Sequence, residues 1–172
     1  MQIIWFENIL FLGVVTLFVG VVGWAWRDLA PYQLPNPLPG WFRFWFGTVQ
    51  VLGIIPPLGA LIGWGIWQQN AEVLAVFASY FLMLGLQILT EYLTLRQFHT
   101  VVWVMVPYLY LPYRIWQLYE GLNMISLGEA GTSQEWFWIS LILWGEIILW
   151  TGNYLLDLAQ LPRLFYWKSL DR

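Results

Sequence analysis

Two charged residues stand where charge is expensive. Arg114 and Glu146 each interrupt a long apolar run. At about 1.5 Å of rise per helical residue, Arg114 falls about 20 Å in from one end of its run. Glu146 falls about 15 Å in from the opposite side. A hydrocarbon core is about 30 Å thick, so both lie within one helical turn of its midplane. An isolated charge at that depth is costly, and such residues usually face the bundle and pair. The two runs are adjacent and antiparallel, so the sequence predicts an Arg114–Glu146 ion pair. The pair has two uses: it fixes helix register, or it forms a polar centre for an anionic or polar headgroup.

Helical spacing enlarges the cluster. Glu146, Trp150, Asn153 and Asp157 share one face of their run, and Tyr110, Arg114 and Gln117 share one on theirs. Gln87 and Glu91 share a third face, with Tyr80 and Thr94 close by. The candidate centre is therefore Arg114, Glu146, Tyr110, Gln117, Trp150 and Asn153. It is either the lining of a cavity for an amphipathic ligand or a hydrogen-bonded seam. Glu91, Glu120 and Asp157 come out near a surface. His99 is the single histidine. A lone histidine is able to ligate the metal of a tetrapyrrole, but an interfacial histidine needs no such role.

Enzyme signatures are few. The sequence holds no HExxH, GxSxG, DDxxD, P-loop or GxGxxG motif. Cysteine is absent, which excludes a disulfide framework, a thiolate nucleophile and a Cys-ligated metal. The expectation leans away from an enzyme, with no metal site and with lipid, a tetrapyrrole or a carotenoid as the conceivable ligands.

The elements that carry these residues follow from composition. The chain has 172 residues, 60% hydrophobic, 20% aromatic and 10% charged. A soluble domain is about 45–50% apolar and about 25% charged. Mean hydropathy is +0.63. A net charge of −3 argues against nucleic acid as a partner. The class is an all-α polytopic membrane protein, a single domain of about five transmembrane helices. Spans are expected at about 3–26, 41–67, 73–95, 101–122 and 136–158, with an interfacial tail at 161–172. The first is taken as a retained helix, not a cleaved leader, because its start lacks a basic segment.

Punctuation separates the spans. Four prolines between Pro31 and Pro39 make an extended loop. Gly13, Thr16, Gly20 and Gly23 give the first span a small face suited to close helix packing. Pro56-Pro57 should bend or break the second span and strip the carbonyls near Leu52 and Gly53 of their intrahelical donors. Gly59 and Gly63 then form a GxxxG spacing. A loop is expected from Asn123 to Glu135.

Five spans put Arg27, Arg43, Arg96, Arg163, Lys168 and Arg172 on one side, six of the seven basic residues. The other side receives none, and holds Glu72, Glu129 and Glu135. By the positive-inside bias the N-terminus is outside or lumenal and the C-terminus cytoplasmic or stromal. Tryptophans form two interfacial belts, except Trp144 and Trp150, which fall near mid-span and face helices or a bound apolar molecule.

Leu38-Pro39-Gly40-Trp41-Phe42 resembles the first-loop proline–tryptophan stretch of the tryptophan-rich sensory (translocator) family. Pro112-Tyr113-Arg114-Ile115-Trp116 with Leu122-Asn123 resembles that family's final-helix pattern, although here another helix follows. The two segments make up about a sixth of the chain. The resemblance implies a five-helix bundle that binds porphyrins or lipids. The expected function is a non-catalytic accessory or assembly subunit, or a lipid- or pigment-binding component. Its partners would be membrane lipid, other membrane subunits or further copies of the chain. A small transporter or sensor-like binder of an amphipathic ligand is the alternative.

Overall fold

A computed structural model describes residues 2–29, 31–32, 40–127 and 132–165. Helices account for almost all of them, and no strand occurs among the described residues. In chain order they are α1 (Gln2–Ala25), α2 (Gly40–Leu52), α3 (Ile55–Ala60), α4 (Ala71–Phe98), α5 (Val102–Leu127) and α6 (Ser133–Phe165). A π-helical turn, Leu61–Trp67, continues α3. Most of the proline-rich loop and the end of the tail lie outside the described residues.

Local chemistry sets the ends. Asn70 caps α4, its Oδ1 accepting from the backbone of Glu72 (3.1 Å) and Val73 (3.2 Å). Thr132 and Glu135 make a reciprocal capping box at the start of α6. His99 closes α4 in the left-handed region at φ 56°, donating its N–H to Leu95. The histidine thus serves as a helix stop, and its ring is exposed.

Four helical stretches are long and apolar enough to cross a membrane: Ile4–Ala25, Gly40–Trp67, Ala71–Phe98 and Gln134–Pro162. Large apolar side chains such as Ile9, Leu17, Phe44 and Ile148 point outward. That is the inverse of a soluble protein and suits a lipid surround. The fourth expected span, α5, is not among these. It has the length but carries Arg114, Gln117 and Glu120, and its four tyrosines with Pro107 and Pro112 dilute its apolar character further. It packs against α4, α6 and α1, and its Arg114 and Gln117 are buried against protein.

The expected boundaries shift at two places. α5 continues to Leu127, taking in the first part of the anticipated loop, and α6 runs through Pro162 to Phe165, taking in the start of the anticipated tail.

The second span bends as its prolines require. α2 stops at Leu52, and α3 starts at Ile55 with proline in its first turn. Gly53 still donates to Val49 (2.8 Å) and Leu58 to Ile54 (3.0 Å). A Cβ at Gly53 would lie 2.7 Å from the Val49 oxygen and 2.8 Å from the Trp150 ring, so only glycine lets that indole approach.

The small face of α1 does not act as a unit. Gly23 lies under the Phe98 ring, but a Cβ added at Gly13, Gly20, Gly59 or Gly63 would meet nothing within 4 Å. α1 is instead held by a polar knot. Asn8 Nδ2 donates to Ser79 Oγ (2.8 Å), and Tyr113 and Gln117 donate to Asn8 Oδ1 (2.7 and 3.1 Å). Gln117 also donates to Ser79 (2.6 Å).

α4 and α5 approach closely at Gly121. A Cβ at Gly121 would fall 2.6 Å from Val76 Cγ1. Gly121→Ala should therefore lower stability in detergent by about 1–3 kcal/mol through overpacking. Val76→Ala in the same chain should return part of that loss. Losses that simply add in the double variant would contradict the contact.

Candidate functional site

Arg114 is 1% exposed, the largest fully buried side chain among the described residues. Its nearest partners come from α4 and α6. Gln87 on α4 accepts from Arg114 NH2 at 2.6 Å. The guanidinium carbon lies 4.3 Å from the Trp150 ring centre on α6 and 5.7 Å from the Tyr80 ring on α4. Both contacts are cation–π in kind, strengthened by the absence of water. Arg114 Nε and NH1 have no hydrogen-bond partner among the described residues.

Glu146 is also buried, and its Oε2 belongs to a second small network. Trp150 Nε1 donates to Glu146 Oε2 and to the Tyr80 hydroxyl, both at 3.0 Å. The Tyr80 hydroxyl donates to the Gly53 carbonyl at 2.6 Å and lies 3.2 Å from Glu146 Oε2. The Gly53 carbonyl is the one that Pro57 leaves without a donor, because residue 57 of a regular helix would have supplied it. The bend in the second span is thus stitched to α4 by one tyrosine hydroxyl.

The predicted Arg114–Glu146 ion pair is not formed. The single ion pair within 4.0 Å among the described residues is Arg27–Asp28, at 3.6 Å on the surface. The two buried groups share Tyr80 and Trp150 instead, whose rings stack on the cation while their polar atoms bind the carboxylate. Adjacent spans and matching depth were not enough. Two aromatic side chains from α4 and α6 occupy the space between the charges, and neither could be placed there by depth alone.

The other expected members divide. Trp150 is at the centre. Asn153 Oδ1 accepts from Trp45 Nε1 at 3.1 Å and ties α2 to α6. Gln117 belongs to the α1 knot, because three residues along a helix turn a side chain about 60° away from Arg114. Tyr110 pairs its hydroxyl with Thr90 at 3.0 Å. Gln87 and Tyr80 prove to be direct neighbours of Arg114, and their face was readable from spacing. Trp45 was not, since it looked like an interfacial belt residue. Trp144 faces outward.

Two clefts flank Trp45. One, of about 240 Å³, is walled by α2 aromatics and has Arg114, Gln87, Glu91, Asn153 and Asp157 in its lining. The other, of about 570 Å³, is apolar, formed by residues such as Leu52, Pro56 and Ile148, with Glu146 also in its lining. Among the described residues no three His, Asp or Glu side chains gather closely enough to hold a metal ion. His99 does not line either cleft.

No protein-family model, curated protein or solved structure matches this chain. The likeness to the tryptophan-rich sensory family therefore stays at the two short segments that carry it.

The tyrosine stitch makes a specific prediction. Tyr80→Phe should cost about 1–3 kcal/mol, because it leaves a buried carbonyl unsatisfied. Pro57→Ala restores an N–H at the position that faces Gly53, so in that background Tyr80→Phe should cost clearly less. Thermal unfolding of the two single variants and the double decides it, and strict additivity would contradict the stitch.

Proposed function

We propose that this chain is a five-span integral membrane protein that binds an amphipathic, anion-bearing molecule between α2 and the α4–α5–α6 core. The observation that carries this reading is Arg114: a guanidinium with one committed donor and two unpartnered nitrogens, buried in the lining of a cleft. An unmet cation at such depth is costly unless an anion completes it. The apolar cleft beside it offers a surface for a hydrocarbon chain. Arg114 would hold the headgroup and the second cleft the tail, with Trp45 between them.

The role is non-catalytic. Glu146 and Tyr80 are committed to the hydrogen bonds that hold the bent span, which leaves them poorly placed to exchange protons with a substrate. Membrane lipid is the partner this reading requires, and the outward apolar faces suit lipid or other membrane subunits. α5 counts as the fourth of five spans, since five crossings would put six of seven basic residues on one side. That orientation puts the N-terminus outside or lumenal and the C-terminus in the cytoplasm or stroma.

Two measurements test the proposal. Phosphatidylglycerol should raise the melting temperature of the detergent-solubilised protein, and diacylglycerol with the same acyl chains should not. Arg114→Met should erase the difference between them; a difference that survives would refute the assignment to Arg114. The chain has no native cysteine, so cysteines introduced at Glu129 and Ser169 label without background. They should react from opposite sides of the membrane, and labelling from one side would exclude five spans.

A further inference from the structure

The lining of the Arg114 cleft is charged at two levels with opposite sign. Arg114 lies at the deeper level, stacked on Trp150. Glu91 and Asp157 line the same cleft. Glu91 is one helical turn beyond Gln87, the partner of Arg114, and its Oε1 accepts from Gln87 Nε2 at 2.8 Å. Asp157 is one turn beyond Asn153. α4 and α6 are parallel in a five-span arrangement, so both carboxylates are displaced from Arg114 in the same direction, toward the start of α2. They are close enough to act on each other electrostatically, and Glu91 is close enough to act on Arg114. Trp41, Phe42 and Trp45 of α2 also line the cleft.

From this placement we infer that the ligand is a zwitterion, with its anionic group on Arg114 and an ammonium group between Glu91 and Asp157. The inference rests on the reading of Arg114 as an anion site. A simple anion would satisfy the guanidinium but would meet two carboxylates at the other level, and like charges repel. A cation alone would satisfy the carboxylates and leave Arg114 unmet. A molecule carrying both charges about one helical turn apart, about 5 Å, satisfies both levels at once. The aromatic rings of α2 add a surface on which an ammonium gains cation–π attraction. An aminoalkyl phosphate has this chemistry, either as a phospholipid headgroup or as a free small molecule.

The test is a competition between lipids that differ only in the headgroup. Purified protein in a non-ionic maltoside is titrated with phosphatidylethanolamine and phosphatidylglycerol of identical acyl chains, and binding is read by native mass spectrometry. The ethanolamine lipid should bind roughly tenfold more tightly. In the double variant Glu91→Gln, Asp157→Asn that preference should collapse to about twofold or less, with phosphatidylglycerol binding more tightly than before. Soluble phosphoethanolamine forms a third arm. If it displaces the lipid, the headgroup chemistry alone is recognised; if it does not, the zwitterion is recognised as part of a lipid. Equal binding of the two lipids by the unaltered protein, or a preference that survives the double variant, overturns the zwitterion and leaves the anion site standing. Failure of both lipids to bind, or binding of both that is unchanged in Arg114→Met, overturns the anion site and the zwitterion with it.

Discussion

A buried guanidinium with two unmet donors among the described residues governs this structure. Arg114 is 1% exposed, and its neighbours are a glutamine, two aromatic rings and the lining of a cleft. Taking an ion out of water costs several kcal/mol even after the protein relaxes. The architecture is arranged around that cost. α5 is enclosed by α4, α6 and α1, so the arginine faces protein and not hydrocarbon. The rings of Tyr80 and Trp150 offer it polarisable faces. Their hydroxyl and indole N–H turn the other way and hold Glu146 and the bent second span. One pair of aromatic side chains therefore links the buried cation, the buried carboxylate and the proline bend.

The bend is a consequence as well as a cause. Pro57 removes the donor that the Gly53 carbonyl would have used, and a free carbonyl away from water requires another. Tyr80 supplies it, which fixes the tyrosine ring beside Arg114. Gly53 in turn has no side chain, so the Trp150 indole closes in. Clefts lie on both sides of Trp45 of α2. The Asn8–Ser79–Gln117 knot does similar work at α1 with neutral groups alone.

Much of this was legible from residue order. Apolar run lengths marked the helices, Pro56-Pro57 marked the bend, and depth arithmetic singled out Arg114 and Glu146 as buried. The polar face of α4 also stood in the spacing of Gln87 and Glu91. What the sequence could not provide was rotation about each helix axis relative to its neighbours. An ion pair between Arg114 and Glu146 was a fair expectation from depth, yet a rotation that admits two aromatic rings separates the charges. The same rotation sends Gln117 toward α1. The small residues of α1 carried a packing signal in the abstract, but among its glycines at the described residues Gly23 alone packs under a side chain of another helix. α5 was the hardest to read as a span, because a helix at the centre of a bundle need not be apolar on every face.

The central claim is that the free donors of Arg114 are met by an anion-bearing amphiphile in the cleft beside α2. A cryo-electron microscopy map of the protein in nanodiscs of native lipid tests it most directly. The account predicts elongated density beside Trp45, with a headgroup within hydrogen-bonding distance of Arg114 Nε and NH1 and a tail along the apolar cleft. A well-resolved map with only water at the guanidinium, or with Arg114 turned to a carboxylate of its own chain, would contradict it.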